Sequence, residues 1–328
     1  MDKTLRAAVI GVGYLGRFHA QKYAQANGCK LLAVCDTRED ARMALATELG
    51  TTAVSDYREL LGRVDAVSVV TPTAAHFEIA AAFIGAGAHV LVEKPIAETA
   101  QQARELISLA ARAGRVLQVG HLERFNSAVL AAEPFLAAPW FVECHRLAPY
   151  RERGTDVNVV LDLMIHDLDL VQSIVGSKVV SIDAVGAPVF SSAIDIANAR
   201  IRFENGCVAN ATASRVSLKT ERKLRIFEDD AYISLDLQQK ILTLIRKRTP
   251  PTAEPGQLPV SIEEQSLEQG DALQAEIESF LECIRAGRAP VVSGEAGLAA
   301  LEMAMRITAQ VQEGLERRGA GVPERKPA

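Results

Sequence analysis

From Leu5 to Val119 the apolar positions fall into short unbroken runs: LRAAVI (5–10), KLLAVC (30–35), AVSVV (66–70), HVLVE (89–93) and VLQV (116–119). Runs that are this short and apolar on both faces read as central strands of a sheet covered on both sides. Between them the spacing changes to a helical period, as in AAHFEIAAAFIGAG (74–87) and TAQQARELISLAARAG (99–114), each closing on a glycine suited to a left-handed cap. Strand and helix in alternation predict an N-terminal doubly wound parallel sheet of the Rossmann type.

After about residue 120 the rhythm changes. A helical RFNSAVLAAEPFL, a strand around FVECHRL and a helix around VVLDLMIHDLDLVQSIV precede a quick succession of strands at 178–187, 194–204, 206–217, 221–228 and 230–237, with turn pairs at Asn205-Gly206 and Asp229-Asp230. This predicts a C-terminal α+β domain built on a large, mostly antiparallel open sheet. Thr249–Pro259 holds four prolines and reads as a loop, helices at 270–286 and 293–315 close the fold, and the polar tail from Arg317 reads as frayed. The expected division is 1–120 for the first domain, 121–316 for the second and 317–328 for the tail. Strands such as VANATASRV alternate small with short polar side chains, the texture of a flat contact surface, so a homodimer or homotetramer is expected.

Composition narrows the classes. The 328 residues, 48% hydrophobic and 23% charged, suit a globular chain of two domains and exclude a disordered or fibrous one. A formal charge of −5 gives no general attraction to nucleic acid or anionic lipid, so any anion must be bound locally. No apolar stretch approaches the length of a membrane span, and Met1–Arg6 leads straight into a strand, so no membrane association and a cytoplasmic location are expected. Cys29, Cys35, Cys144, Cys207 and Cys283 never form C-x-x-C, which speaks against a disulfide framework or a zinc site and for small buried hydrophobes.

The first strand runs into Gly11-Val12-Gly13-Tyr14-Leu15-Gly16 at the mouth of a helix. In a G-x-G-x-x-G the first glycine permits the tight turn, the second lets backbone approach a pyrophosphate, and the third allows close helix–strand packing. Glycines after a strand are often only a turn, but Asp36 ends the second strand 20 positions after Gly16, where a carboxylate accepts hydrogen bonds from ribose hydroxyls. Its charge would repel a 2′-phosphate, so NAD is favoured over NADP; Thr37 and Arg38 follow it, and Arg38 is placed to offset that repulsion or to lie along adenine. Ligands in such sheets bind beyond the carboxyl ends of the strands, which brings Thr71, Pro72 and His76 from one strand end and Glu93 and Lys94 from another toward the same crevice, with His121 beside it. The plainer reading of His76 is a surface residue at a helix start. Lys94, stiffened by Pro95, is expected where a substrate hydroxyl or nicotinamide would lie.

Asp162, His166 and Asp169 fall at i, i+4 and i+7 of one helix face, with Leu163, Leu170 and Ile174 marking the face expected to pack. Such a stripe is a salt-bridged core feature, a ligand site or a metal site; with no other obvious ligand pair, no metal is expected. His166 is the natural acid/base, since imidazole titrates near neutrality, and Asp162 would fix its tautomer or bind a sugar. His19 and His89 read as structural, and His145 has no evident partner in the sequence.

Taken together, AVIGVGYLG, Asp36, VVTPTAAH, VEKP and the D-x-x-x-H-x-x-D of Asp162–Asp169 resemble, in order and distance over essentially the whole chain, the Gfo/Idh/MocA family of nicotinamide-dependent sugar and polyol oxidoreductases. The resemblance implies catalytic roles for Lys94 and His166, with Asp162 beside them: hydride to nicotinamide, the hydroxyl proton to His166, and Lys94 on the oxygen. GHLERFNSAV (120–129) and DVNVVLDLMIHDLDLV look like the subgroup that oxidises nucleotide sugars at C3, UDP-N-acetylglucosamine above all, making a 3-keto sugar for a PLP aminotransferase in lipid A or O-antigen synthesis. The family's glycines before that helix are replaced here by Asp156-Val157-Asn158-Val159-Val160. Arg124, Asn126, Arg151 and Arg153, with Arg215 and Lys219, are the candidate donors for a diphosphate. The alternatives are a dehydrogenase or reductase of a free sugar, cyclitol or other small carbonyl, a metal-dependent isomerase or lyase, and an NAD-binding regulator that has lost its chemistry.

Overall fold

The computed structural model describes residues 4–151, 157–248 and 259–319. In chain order, β1 (Leu5–Ile10), α1 (Tyr14–Gln25), β2 (Cys29–Cys35), α2 (Glu39–Leu49), β3 (Thr52–Val54), β4 (Ala66–Val69), α3 (His76–Gly85), β5 (His89–Glu93), α4 (Ala100–Ala113) and β6 (Leu117–Gly120) form the alternating half. They are followed by α5 (Ser127–Ala132), β7 (Phe141–Leu147), α6 (Ile165–Val175), β8 (Val179–Ala187), β9 (Ile196–Phe203), β10 (Val208–Ser214), β11 (Glu221–Phe227), β12 (Ala231–Asp236), β13 (Ile241–Lys247), β14 (Val260–Ser266), α7 (Ala272–Ala286) and α8 (Gly294–Gly319).

The chain divides into two compact units. In the first, six parallel strands lie in the order β3-β2-β1-β4-β5-β6, so the strand order reverses between β1 and β4. That reversal opens a crevice at the carboxyl ends of the strands. All four residues of β4 are buried, as expected for a strand covered on both faces. α4 shows how local sequence sets its ends: Thr99 and Gln102 form a reciprocal capping box, and Gly114 closes the helix in the left-handed region. The three-residue edge strand β3 carries no run long enough to be read from sequence.

The first unit also takes Asp271–Leu301, a stretch the sequence reading placed in the second domain. The cause is burial: Leu273, Ile277, Phe280 and Leu281 of α7 complete a core with Ala20, Tyr23, Leu31 and Val34.

The second unit, Asn126–Gly270 and the chain from Glu302, holds an eight-stranded sheet in the order β14-β13-β12-β11-β7-β10-β9-β8. Every pairing is antiparallel except β7 with β10. Along β9, Ala197, Ala199, Ile201 and Phe203 are buried while Asn198, Arg200 and Arg202 face outward. Two strands escaped the sequence reading. β13 follows a turn in which Asp236 accepts from Gln238 and Gln239 and Lys240 takes the left-handed conformation without glycine (φ 59°), and β14 is a mostly exposed polar edge. Helix α8 runs through Arg317 to Gly319, so the first residues of the expected tail are helical. The proline-rich segment lies outside the described residues apart from Pro259, and the end of the tail lies outside them too.

Candidate active site

The nucleotide motif occupies the bend between β1 and α1. Gly11 sits at φ 86°, and a Cβ there would fall 2.5 Å from the Val70 carbonyl oxygen. A Cβ on Gly16 would fall 1.8 Å from the Gly11 carbonyl oxygen, so β1 and α1 meet only because both positions are glycine. At Gly13 an added Cβ would meet nothing within 4 Å. No side chain caps α1 and its first turn holds no acidic residue, which leaves its amide end suited to an anion.

Alongside lies a cavity of about 700 Å³, lined by Gly11, Gly13, Asp36, Thr37, Arg38 and Thr71 among others. Asp36 is fixed from two sides, its Oδ2 accepting from the Val12 N–H at 2.8 Å and its Oδ1 from the Arg38 N–H at 2.9 Å. These residues fit a dinucleotide: an open backbone approach for the pyrophosphate and a positioned carboxylate for the ribose. Pro72 also lines the cavity. Its outer wall was not read from the sequence: Tyr57 donates to Glu78 at 2.7 Å, and the Arg58 guanidinium lies 4.9 Å from the Tyr57 ring centre. Tyr14 and Leu15 stand in the first turn of α1 outside that lining, Tyr14 being 72% exposed and edge-on to Phe18.

At the next strand ends the structure corrects two expectations. His76 is neither on the surface nor turned to a ligand; it is buried, with Nδ1 2.9 Å from the Pro95 carbonyl oxygen and Nε2 2.8 Å from that of Thr71. It therefore ties the loop after β4 to the loop after β5. Glu93 is also buried, and its carboxylate turns inward, Oε1 lying 3.1 Å from His19 Nε2 and Oε2 accepting from the Lys94 N–H at 3.2 Å. Burial acts to raise this carboxyl, but the His19 hydrogen bond and the Lys94 charge outweigh it and hold it below its ordinary value. Lys94 is half-buried and joined to Pro95 by a cis peptide bond. His121 is buried at the end of β6, and Arg124 is half-buried in the turn Leu122–Phe125.

In the second unit the helix bearing Asp162 and His166 starts with a π-helical turn, Val160–Met164, before continuing as α6. Asn158 Oδ1 accepts from the Val160 and Leu161 N–H groups at 3.0 Å each. Asp162 and His166 are half-buried, whereas Asp169 is 2% exposed. The expected packing face is too narrow: Met164, Ile165, Leu168, Leu170, Val171 and Val175 are buried around most of the helix, while Leu163 and Ile174 are only half-buried. Asp167, passed over in the sequence, takes the buried Arg146 guanidinium on both oxygens, with Nη2–Oδ1 at 2.8 Å and Nε–Oδ2 at 3.0 Å.

Several expected substrate donors are engaged elsewhere. Asn126 caps α5 through the Ala128 N–H and donates to the Leu237 carbonyl at 3.0 Å, a structural role in place of the expected substrate contact. Arg215 is buried against Asp195 at 3.0 Å and donates to the Val157 and Ile194 carbonyls, so it too is structural. Lys219 is exposed beside Glu221, Arg151 is exposed, and Arg153 lies outside the described residues. His145 does have partners, with Glu143 at 3.6 Å and Glu221 at 3.5 Å. Among the described residues no group of three or more His, Cys, Asp or Glu is arranged to hold a metal ion. None of their helices is long and apolar enough to cross a membrane. The five cysteines are free, and burial raises the Cys29, Cys35 and Cys207 thiols to about 11, as expected of inert packing groups.

Residues 5–121 match the Gfo/Idh/MocA oxidoreductase family, NAD-binding Rossmann fold, and residues 149–316 match its C-terminal alpha/beta domain. A UDP-N-acetylglucosamine 3-dehydrogenase of Acidithiobacillus ferrooxidans is 40% identical over 314 residues, 95% of this chain and 99% of the relative. Its solved structure superposes with a TM-score of 0.89 at 39% identity, covering 94% of this chain and 98% of that one. A scyllo-inositol 2-dehydrogenase (NAD(+)) of Bacillus subtilis is 24% identical over 336 residues, 96% of each chain.

Proposed function

The chain belongs to the Gfo/Idh/MocA oxidoreductase family, and from that premise we propose that it oxidises the 3-hydroxyl of UDP-N-acetylglucosamine to a 3-keto sugar. It is a sugar dehydrogenase acting on CH–OH groups with NAD as cofactor. The observation that carries the finer reading is the 40% identity, over 95% of this chain and 99% of the relative, to a protein of that activity.

Bound NAD supplies the acceptor for the hydride that leaves the alcohol carbon. In this reading Lys94 binds the hydroxyl oxygen, and its positive charge stabilises the negative charge that develops there. His166 takes the hydroxyl proton, and Asp162, in the π-helical turn preceding it, orients the imidazole or the sugar. Asp36 receives the adenosine ribose, and its charge disfavours a 2′-phosphate. The ketone is the substrate class that a PLP aminotransferase converts to an amino sugar, so such an enzyme is the expected consumer in cytoplasmic lipid A or O-antigen synthesis. A homodimer or homotetramer formed through the outward face of β9 and β10 completes the reading, and light scattering of the purified protein tests it.

The deciding experiment measures NADH formation with UDP-N-acetylglucosamine, UDP-glucose, N-acetylglucosamine, glucose and scyllo-inositol. Turnover is expected with the first and little with the free sugars and the cyclitol. Turnover confined to scyllo-inositol or a free sugar would refute it. Lys94→Ala and His166→Ala are expected to lose orders of magnitude in kcat while NAD still binds; full turnover in either removes that residue's role.

A further inference from the structure

Behind Lys94 a chain of buried polar groups runs from β5 through β4 into α1. The Tyr23 hydroxyl lies 3.0 Å from Ser68 Oγ, Ser68 Oγ lies 3.2 Å from His19 Nδ1, and His19 Nε2 lies 3.1 Å from Glu93 Oε1. Tyr23, Ser68 and His19 are completely buried and Glu93 is 8% exposed, so none of these groups has water to fall back on. One ordering of protons satisfies every member. Tyr23 donates to Ser68, Ser68 donates to Nδ1 of His19, His19 donates from Nε2 to Glu93, and the remaining Glu93 oxygen accepts from the Lys94 N–H at 3.2 Å. The reverse ordering needs a protonated Glu93, which the Lys94 charge beside it disfavours. Space is tight as well: a Cβ on Gly120 of β6 would fall 2.7 Å from Glu93 Oε1.

We propose that His19 is a positioning residue for the oxidation: by donating to Glu93 it keeps that carboxylate charged, oriented and bonded to the Lys94 backbone, and so fixes the lysine at the strand end. The proposal rests on the reading of Lys94 given above. It assigns a task to a histidine inside the nucleotide-binding helix that neither the cofactor nor the substrate needs to touch. The charged groups acting on Glu93 are His19 from α1 and Lys94 just after β5, and Gly120 of β6 packs against its carboxylate. Without the His19 donor, burial is opposed only by the contributions of Lys94, and the carboxyl moves up.

The test uses the full chain, with His19→Phe, His19→Gln, Lys94→Ala and the double variant His19→Phe/Lys94→Ala. Folding is checked by circular dichroism and NAD binding by titration. His19→Phe is expected to lower kcat on the order of 10- to 100-fold, the loss of one hydrogen bond to a charged group. The deficit should deepen as pH falls, because Glu93 then takes up a proton, while the KM for NAD stays within about twofold of wild type. His19→Gln, whose amide can still donate, should recover most of the rate and the wild-type pH profile. The double variant should be no slower than Lys94→Ala alone, because His19 acts through Lys94. Independently of turnover, difference infrared spectra of the cofactor-free His19→Phe protein should show a titrating protonated-carboxyl band that disappears in His19→Phe/Glu93→Gln.

Losses that multiply in the double variant, or a His19→Phe deficit equal at every pH, would overturn the proposal while leaving Lys94 in place. If His19→Phe does not fold, a loss of rate in His19→Gln that is the same at every pH overturns it instead. Normal turnover by Lys94→Ala would instead remove the reading on which the proposal stands, and the two failures are thereby told apart.

Discussion

A single methyl group added at Gly13 and at Gly16 should separate the two functions of the glycine bend. At Gly16 the new carbon would stand 1.8 Å from the Gly11 carbonyl oxygen and 2.9 Å from its carbon, both backbone atoms, so the bend or the helix must move. Overpacking of that kind costs about 1–3 kcal/mol. A domain of this size should melt about 2–10 °C lower. At Gly13 the same methyl group meets no protein atom within 4 Å, and φ of −65° suits alanine as well as glycine. Stability should therefore stay within about 0.5 kcal/mol of wild type.

The space the Gly13 methyl group enters is the approach to the exposed amide end of α1, where the pyrophosphate is expected. NADH affinity should fall at least about tenfold, equivalent to about 1.4 kcal/mol. Thermal denaturation of the cofactor-free protein, followed by circular dichroism, reads the first effect, and titration of NADH fluorescence reads the second. Gly16→Ala should fail in both measurements and Gly13→Ala in the second alone. A Gly13→Ala protein that binds NADH like wild type, or that melts as early as Gly16→Ala, would refute the assignment of that space to the cofactor.

Arg146→Leu takes the two-pronged guanidinium partner from buried Asp167 and should cost about 3–5 kcal/mol in urea denaturation, whereas Arg146→Leu/Asp167→Leu should recover most of it; equal losses would show that the pair is not coupled. His89 is lowered to about 4, chiefly by burial and then by the Arg115 charge, while the unfolded chain binds its proton near 6.5. The unfolded state therefore holds more protons between those values, so stability should fall as pH drops from about 6.5 to about 4, and His89→Gln should flatten that slope; an unchanged slope counts against the shift. Wild type should bind NADH more tightly than NADPH, and Asp36→Ala should narrow the difference; a preference for NADPH in wild type would contradict the role of Asp36.

The elements that could be read from the sequence were those whose signal is local. Unbroken apolar runs such as AVSVV, the spacing from Gly11 to Asp36, and the cap at Gly114 each depend on a few neighbouring residues, and each has its counterpart in the structure. What escaped depends on partners distant in sequence. Asp167 and Asp169 lie two residues apart, and counting helix positions favoured Asp169; the selection of Asp167 comes from Arg146, 21 residues away on β7. Nor is this a regular α-helix with one dry side: it opens in a π-helical turn and is buried around most of its circumference. Asn126 did carry a local signal, an N-cap residue ahead of Ser127–Ala132, and its reading as a diphosphate donor overlooked that signal.

The same contrast explains why histidines were hard to rank. Sequence position alone made His76 a candidate for the cofactor and His19 a structural residue. In the structure both are buried and both act on the Lys94 loop, His76 through the carbonyl of Pro95 and His19 through the carboxylate of Glu93. A lysine on a long flexible stem loses side-chain entropy when held in one place, so anchoring the backbone on either side of it lowers the part of that cost its own contacts must offset. A buried polar network serves this end only when complete, because one orphaned group in a dry core costs more than the bond it replaced. That requirement accounts for Tyr23 and Ser68 at fully buried positions of α1 and β4 where an apolar residue would pack as well: they finish a chain of hydrogen bonds whose other end is the backbone of Lys94.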